Sequence, residues 1–138
     1  MGDCLFCAAV DGSLPVTAVY DGPTVFAFLD HRPVFKGHVL VIPRAHVAVL
    51  GDLPSADVGP YFAEVQRIAV AVEQGLGAGG TFVALNNRVS QSVPHLHTHV
   101  VPRTKGDGLR GFFWPRTKYT SPSETTAYAA KITSALPP

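Results

Sequence analysis

Short runs of β-branched and aromatic residues, separated by turn-forming residues, occupy much of the first 42 positions and recur after position 80. Runs of this kind are typical of β-strands, and the Asp21-Gly22-Pro23 segment between the first two indicates a hairpin. The pattern therefore predicts a sheet of about five antiparallel strands. They are expected over residues 17–21, 24–29, 37–42, 81–85 and 95–101.

Between positions 57 and 76 the apolar residues instead recur at steps of three and four, which is the pattern of an α-helix with one buried face. Pro60 fits the first turn of such a helix, where a missing N–H costs little, so the helix is expected to begin near Asp57. The apolar face consists of Val58, Tyr61, Phe62, Val65, Ile68, Ala69, Val72 and Leu76.

Glycines follow this helix at positions 75, 77, 79 and 80. A phosphate-binding loop needs a strand, then glycines, then a helix N-terminus, so we interpret this reverse order as the end of the helix. Ser121-Pro122-Ser123-Glu124 indicates the start of a short C-terminal helix over 125–136. The sum is an α+β fold, with an antiparallel sheet of about five strands, one long helix and short terminal helices.

The chain has 138 residues, of which 46% are hydrophobic, and this suits a single domain over residues 1–138. A net charge of +1 gives no reason to expect binding of bulk nucleic acid. The charge is uneven, because residues 103–118 carry five basic residues against one acidic residue, Asp107. We therefore describe 103–120 as a basic and aromatic extension and 121–138 as a short terminal helix.

Nothing in the chain resembles a targeting or membrane segment. The N-terminus has no basic run followed by an apolar stretch, and no window approaches the roughly 18 apolar residues that cross a bilayer. We therefore expect a soluble, cytoplasmic protein that has no membrane partner.

Three histidines alternate with other residues in His95-Leu96-His97-Thr98-His99. Successive side chains of a strand point to opposite faces, so the three imidazoles are expected on one face and Leu96 and Thr98 on the other. The outer two residues would be about 13 Å apart, too far for all three to bind one metal ion without distortion of the strand. His97, with a histidine on either side, is therefore predicted to be a nucleophile or base. The alternative is an ordinary strand that exposes histidines.

This alternation resembles the signature of the histidine triad (HIT) superfamily. A second stretch, residues 30–43, looks like the nucleotide-pocket strand of that family, and the two stretches cover most of positions 17–104. Residues 101–107 look closest to the dinucleoside polyphosphate hydrolase branch. The resemblance implies a HIT-like fold, a homodimer joined at sheet edges and a purine nucleotide substrate, with adenosine as the expected nucleoside.

The resemblance and the chemistry of imidazole together predict a reaction. A neutral imidazole, with an ordinary pKa near 6.5, can attack a phosphoryl group without adding negative charge. Attack by His97 at the α-phosphorus of a nucleoside phosphoramidate or dinucleoside polyphosphate would form a nucleotidyl-histidine, which water cleaves to release a nucleoside monophosphate. His99 is expected to donate a proton or a hydrogen bond to a phosphate oxygen. The protein is accordingly predicted to be a nucleotide hydrolase or nucleotidyltransferase.

Other residues are expected to hold the nucleotide. Asp30 ends a strand where the family holds the ribose hydroxyls, although a turn-forming aspartate is the alternative. His38 lies in an apolar strand, so it is either a core residue or, as the resemblance implies, a residue near the phosphate site or behind the triad. Five apolar residues are expected either to line the base pocket or to lie in the core, namely Phe6, Phe26, Phe28, Leu40 and Ile42. The complete set of expected nucleotide-binding residues is Asp30, His38, Asn87, Gln91, Ser92, His97 and His99.

Two segments depart from the family. The loop between Asn87 and the triad is shorter than the glycine-containing loop that wraps phosphate in relatives, so Arg88 is expected to supply contacts that backbone N–H groups supply elsewhere. Segment 109–119 has no counterpart that we can assign. Either it covers the site, with Trp114 on a base and Arg110 or Arg116 on a distal phosphate, or its aromatic residues fill a dimer interface or a groove.

Cys4-Leu5-Phe6-Cys7 is a weak motif when taken alone, because it suits buried thiols or a redox pair equally well. Two thiolates and two imidazoles, however, make a closed tetrahedral zinc shell. Some histidine triad proteins have such a site, and its four positions are filled here by Cys4, Cys7, His46 and His95. We therefore predict a structural zinc ion with no open position for catalysis.

Two other functions stay open. In the first, His95 and His97 bind a catalytic metal directly, and the protein is a metal-dependent hydrolase. In the second, the protein is a non-catalytic sensor that binds nucleotides. Activity that is lost with a chelator but retained without the His97 imidazole would favour the first, and tight binding without turnover would favour the second.

Overall fold

The computed structural model of the chain describes residues 3–109 and 116–138. The order of elements is α1 (Leu5–Asp11), β1 (Ala18–Asp21), β2 (Val25–Leu29), β3 (Val39–Pro43), a 3-10 helix (Leu50–Asp52), α2 (Ser55–Leu76), β4 (Gly80–Leu85), β5 (Thr98–Arg103) and α3 (Pro122–Ala135). The predicted α+β class, with an antiparallel sheet, one long helix and short terminal helices, is confirmed. Arg110 and Trp114, which were considered as nucleotide contacts, lie outside the described residues.

The sheet has the strand order β1-β2-β3-β5-β4, and every neighbouring pair is antiparallel. Both faces of its central strands are buried, because alternate side chains belong to two apolar clusters. One cluster packs against α2 and includes Val25, Ala27, Val39, Val41 and Val100. The other packs against α1 and includes Phe26, Phe28, Leu40 and Ile42. Strands β1 and β4 are the edges of this five-stranded sheet, and the expected dimer stays a prediction.

Helix α2 begins at Ser55, two residues before the predicted start, and ends at Leu76, where it is capped by Gly77 in a left-handed conformation. Pro60 therefore lies inside the helix and not in its first turn, so that expectation is wrong. A proline at this position leaves the carbonyl of Ala56 without its N–H partner. Ala56 is exposed, so water can solvate that carbonyl, and the helix tolerates the proline.

Strand β5 begins at Thr98 and not at the predicted residue, His95. The difference arises because the backbone N–H of Leu96 donates to the carbonyl of Val47 at 2.7 Å, outside the sheet. Ladder pairing starts only where Thr98 lies opposite Val41 of β3 on one side and Leu85 of β4 on the other. Two of the three histidines therefore precede the strand, His95 in a bend and His97 in the irregular segment that follows it.

The turn into β3 depends on Gly37, whose φ of 99° is rarely adopted by residues with a side chain. A Cβ atom there would overlap Cδ1 of Leu76, the last residue of α2. The absence of a side chain at position 37 thus allows the helix end to pack closely on the segment that leads to His38.

Contacts divide the chain into two compact units, one ending at Asp107 and the other beginning at Gly108. The first unit contains the sheet, α1 and α2. The second contains α3, which begins three residues before its predicted start because Ser121 caps it, accepting a hydrogen bond from the N–H of Glu124. No described helix is both long enough and apolar enough to cross a membrane.

Candidate active site

The alternating histidines divide the sheet faces as predicted. Leu96 belongs to the cluster against α2, whereas the ring of His97 packs edge-on against Phe6 of α1, with ring centroids 5.0 Å apart. This face is more closed than expected, because His95 is fully buried and His97 is only 3% exposed. Hydrogen bonds within the protein therefore satisfy most of the polar atoms that an open strand would present to water.

His97 is held in one tautomer by the backbone. Its Nδ1 lies 2.8 Å from the carbonyl oxygen of His95, and because a carbonyl only accepts, Nδ1 must carry the proton. The lone pair of the neutral ring is then on Nε2. No described residue bonds Nε2, and no buried side-chain nitrogen among the described residues lacks a partner, so Nε2 reaches the accessible surface. The nucleophilic atom of the candidate site is therefore Nε2 of His97.

His99 is held in the opposite tautomer by a chain of three groups. The backbone N–H of Val34 donates to Nδ1 of His38 at 3.1 Å, which leaves the proton of the neutral His38 ring on Nε2. That Nε2 lies 2.9 Å from Nδ1 of His99 and donates to it. The proton of His99 is consequently on its own Nε2, which makes this atom a hydrogen-bond donor.

The rings of His38 and His99 are both neutral at neutral pH. Burial, together with the neighbouring His97 and His38, lowers the pKa of His99 to about 4, whereas Asp30 opposes the shift. Burial also lowers the pKa of His38, against the influence of Asp30. A second protonation of either ring is therefore disfavoured, and the tautomers set by Val34 persist through the ordinary pH range.

Asp30 lies next to His38, the middle residue of the hydrogen-bond chain from Val34 to His99. One carboxylate oxygen accepts a hydrogen bond from the N–H of Arg32 at 2.9 Å, and the other lies 3.7 Å from Nδ1 of His38. Its side chain is 19% exposed, so a ligand can still approach it. The structure thus combines the turn-forming role with a position near the triad, and the ribose contact stays a prediction.

Three predicted nucleotide ligands lie in the loop before the triad. Oδ1 of Asn87 accepts from the N–H of Leu50 at 2.8 Å, and Nε2 of Gln91 donates to the carbonyl of Ala48 at 2.6 Å. Both amides therefore fix the loop to residues 48–50, whereas Ser92 is exposed. Their contacts with a nucleotide stay predictions.

The four predicted metal ligands meet at one point. Sγ of Cys4 is 3.4 Å and Sγ of Cys7 is 3.6 Å from Nδ1 of His95, and Sγ of Cys7 is 3.3 Å from Nδ1 of His46. Tetrahedral zinc, with bonds of about 2.3 Å to sulfur and 2.0–2.1 Å to nitrogen, would place sulfur and nitrogen about 3.6 Å apart. Nε2 of His95 lies 2.8 Å from the carbonyl of Pro43 and donates to it, which directs the lone pair of Nδ1 towards the thiols. The donor set therefore fits a zinc ion.

Asp30, His38 and His99 form a second group whose potential ligand atoms lie within 4.8 Å of one another. His38 separates the other two, with one nitrogen bonded to Val34 and the other to His99, so the group works as a hydrogen-bond chain. Among the described residues, neither cluster with metal-ligand spacing includes His97. A metal shared by His95 and His97 therefore receives no support, because both nitrogens of His95 are engaged elsewhere.

The residues considered for the base pocket are buried together. They form one cluster with Ala9, consisting of Phe6, Phe26, Phe28, Leu40 and Ile42, and each is at most 8% exposed. In this structure they are core residues beneath α1. Phe6 contacts the rings of His95 and His97, and Leu40 pairs with His99 across the sheet.

The sequence did not reveal the two hydrogen bonds that the hydroxyl of Tyr61 makes behind the triad. The hydroxyl of Tyr61 donates to the carbonyl of Val41 at 2.8 Å and lies 2.7 Å from Oγ1 of Thr98. Thr98 is the residue between His97 and His99 in the sequence. Burial raises the pKa of Tyr61, so the hydroxyl keeps its proton. Tyr61 was recognised only as part of an apolar helix face. A tyrosine on such a face is the available signal, because a buried hydroxyl needs a partner.

Comparison with known proteins shows which family this chain resembles. The HIT domain family matches residues 11–106. A HIT-like protein of Methanocaldococcus jannaschii is 38% identical over 107 residues, which are 76% of this chain and 82% of that one. An adenosine 5'-monophosphoramidase of Schizosaccharomyces pombe is 32% identical over 135 residues, 96% of this chain and 98% of the relative. An adenylylsulfatase of Arabidopsis thaliana is 30% identical over 109 residues, 78% of this chain and 55% of that protein.

Solved structures extend the likeness to nearly the whole chain. A HIT family protein from Bacillus subtilis has a TM-score of 0.88 and 32% identity, covering 99% of each chain. A zinc-bound histidine triad family protein from Mycobacterium smegmatis has a TM-score of 0.74 and 38% identity, covering 98% of this chain and 99% of that one.

Proposed function

The chain belongs to the HIT domain family, and from that premise we propose that it acts at the α-phosphate of a nucleoside phosphoramidate or dinucleoside polyphosphate through a covalent nucleotidyl-histidine on His97. The predicted family and the broad class, nucleotide hydrolase or transferase, are confirmed by the relatives. Two of those relatives are named for reactions of adenosine compounds. We therefore propose a purine nucleotide, with adenosine as its nucleoside, as the substrate.

The observation that carries this proposal is the 2.8 Å hydrogen bond between Nδ1 of His97 and the carbonyl of His95. It keeps the lone pair on Nε2, the one nitrogen of that ring that reaches the surface. Attack by Nε2 forms an N–P bond and expels the leaving group with the electron pair of the broken bond. Water then attacks the same phosphorus, the N–P bond breaks, and the nucleoside monophosphate leaves.

His99 is proposed to stabilise charge in both steps. Its Nε2–H is fixed as a donor by His38, so it can bond a phosphoryl or bridging oxygen without reorienting. Asp30 is proposed to accept a ribose hydroxyl with the carboxylate that lies beside His38. Asn87 and Gln91 hold the loop, and Ser92 is proposed to bond the leaving portion from that loop.

Cys4, Cys7, His46 and His95 are proposed to hold a structural zinc ion. Four protein ligands leave no open position, so zinc supplies cross-linking and not Lewis acid chemistry here. It would join α1 to the segment before β5 and hold the imidazole of His95, whose carbonyl orients His97.

The test is intact-protein mass spectrometry during turnover of adenosine 5'-phosphoramidate and of a diadenosine polyphosphate. The wild-type protein should gain the mass of one adenylyl group. His97→Ala should form no adduct and lose activity by at least about 100-fold, yet still bind adenosine monophosphate. His31→Ala is the matched control, because His31 is 90% exposed and should behave as wild type.

Full activity in His97→Ala would overturn the proposal. Activity that disappears on chelation while His97→Ala stays active would instead identify a metal-dependent hydrolase. Tight nucleotide binding without turnover of either substrate class would identify a sensor.

A further inference from the structure

The loop between β4 and the triad contains an arginine in an unusual backbone conformation. Arg88 has a φ of 68° and Ser90 a φ of 61°, and these are the positive φ values among the described residues other than glycine. Such values are uncommon for side chains other than those of asparagine, aspartate and histidine. Oε1 of Gln91 accepts from the N–H of Arg88 at 2.9 Å, so the conformation of Arg88 is held by a neighbour that is itself bonded to Ala48.

This loop leaves the sheet at the triad. Leu85, the last residue of β4, pairs with Thr98, which lies between His97 and His99. Arg88 follows Leu85 by only three residues, and the return of the chain leads directly to His95. The arginine is therefore at the same end of the sheet as the candidate nucleophile.

The charge of Arg88 is not neutralised within the described protein. Three other arginines form ion pairs, namely Arg44 with Asp21, Arg67 with Glu64 and Arg103 with Asp107. The guanidinium of Arg88 has no ion-pair or hydrogen-bond partner among the described residues, and its side chain is exposed. Residues 74–106, which include the triad, contain no acidic residue. This part of the surface is suited to an anion.

We propose that Arg88 is a specificity-determining residue that binds a phosphate of the leaving group, so that the site prefers a nucleoside polyphosphate to a nucleoside phosphoramidate. The inference rests on the proposed function, because it assigns Arg88 to the leaving-group end of the same site. A planar guanidinium can form two parallel hydrogen bonds to a phosphate. The backbone N–H groups of a loop without glycines are less able to provide such a pair of hydrogen bonds.

The chemistry of the leaving group agrees with this assignment. When the bond between the α-phosphorus and the bridging oxygen breaks, the electron pair stays on the oxygen of the departing phosphate. Arg88 would neutralise that added charge. An amine, in contrast, needs a proton as it leaves. Burial lowers the pKa of His99 to about 4, so at neutral pH its ring is a hydrogen-bond donor and a poor source of that proton.

The test compares two substrates in variants that keep the loop intact. Arg88→Asn and Arg88→Gly remove the guanidinium and suit a positive φ, so neither should unfold the loop. Both should lower kcat/KM for diadenosine tetraphosphate by roughly 10- to 100-fold and leave kcat/KM for adenosine 5'-phosphoramidate unchanged. Arg88→Lys should fall between, because it keeps the charge and loses the fork. Arg67→Ala, an arginine on α2, should change neither value.

Binding gives a readout that does not require turnover. In His97→Ala protein, calorimetry should show that adding Arg88→Asn weakens the binding of adenosine tetraphosphate by a similar factor and leaves adenosine monophosphate unaffected. Equal losses for both substrates would show that Arg88 only supports the loop, and no loss for either would show that it makes no contact. Both results would overturn the inference. The covalent adduct on His97 tests the proposed function separately.

Discussion

The backbone N–H of Val34 determines which nitrogen of His99 carries a proton, although the two residues are linked only through the ring of His38. Each of the two hydrogen bonds has a defined direction, because a backbone N–H can only donate. The donor that faces the proposed phosphate site is thus set by the turn that precedes β3. His38 is accordingly a positioning residue, and it acts through His99.

Replacing His38 tests this relationship. His38→Leu removes the donor to Nδ1 of His99, so both tautomers of His99 become accessible, and kcat should fall by about 10-fold or more with little change in KM. Nitrogen-15 NMR of the imidazoles should show the mixture directly. His38→Gln offers an amide N–H and an amide oxygen in place of the two ring nitrogens and should restore part of the loss. A leucine variant with one His99 tautomer and normal kcat would contradict this view.

The depressed pKa of His99 makes stability depend on pH. Its pKa of about 4 in the folded protein lies below the 6.5 of an unperturbed histidine. Between these values the unfolded chain binds more protons than the folded one, so the free energy of unfolding should fall as pH decreases from 6.5 to about 4. Thermal unfolding measured across this range checks the sign.

His99→Asn is the matched variant for that measurement. It removes one group that takes up a proton on unfolding, so its unfolding free energy should depend less steeply on pH in the same range. The shift of His38 has the same direction and should leave a smaller residual slope. An unchanged slope in His99→Asn would refute the assignment.

Metal analysis and thermal unfolding test the zinc proposal. The purified protein should contain one zinc ion per chain, and Cys7→Ser should lose it, because a hydroxyl is a poor zinc ligand beside a thiolate. Chelation should lower the free energy of unfolding of the wild type by about 3 kcal/mol, the value for free zinc roughly 100-fold above its Kd. Chelation of Cys7→Ser should have no further effect. A wild-type protein that is free of zinc and equally stable would rule out a structural role.

Gly37 gives a test of packing near the site. Gly37→Ala places a Cβ where Cδ1 of Leu76 lies and forces a positive φ on alanine, so it should cost about 1–3 kcal/mol of unfolding free energy. Denaturant unfolding measures the loss. Adding Leu76→Ala should give costs that simply add, because Cδ1 ends a flexible, exposed side chain that can move away from the new Cβ and the positive φ remains the main cost. A combined cost well below the sum would show that the overlap itself is costly.

The periodic signals explain why the fold could be predicted from the sequence. The continuous apolar runs of β2 and β3 reflect burial on both faces of the sheet, and the three- and four-residue steps of α2 reflect burial of one helix face, so the pattern and the structure have the same cause. Element ends were less predictable. The start of β5 depends on the bond from Leu96 to Val47, and no local pattern encodes a partner that distant in sequence.

The candidate site was predictable where side-chain chemistry is unusual. Two cysteines and two histidines could be recognised as a zinc-like set with the help of the family resemblance, and the structure brings them together. The roles of Val34 and Tyr61 could not be recognised in this way. Val34 acts through its backbone N–H, which every residue except proline possesses, and the hydroxyl of Tyr61 acts from a position whose pattern indicates only burial.

The short first helix contains Cys7 and begins directly after Cys4, and both cysteines are proposed zinc ligands. It also contains Phe6, whose ring packs against His97. The family match begins only at residue 11, after nearly all of this helix. An expression fragment trimmed to the matched region would therefore keep every triad histidine and discard both thiols and the aromatic cover. Such a fragment would be a poor substitute for the full chain in any assay, and a tag is better attached at the other end.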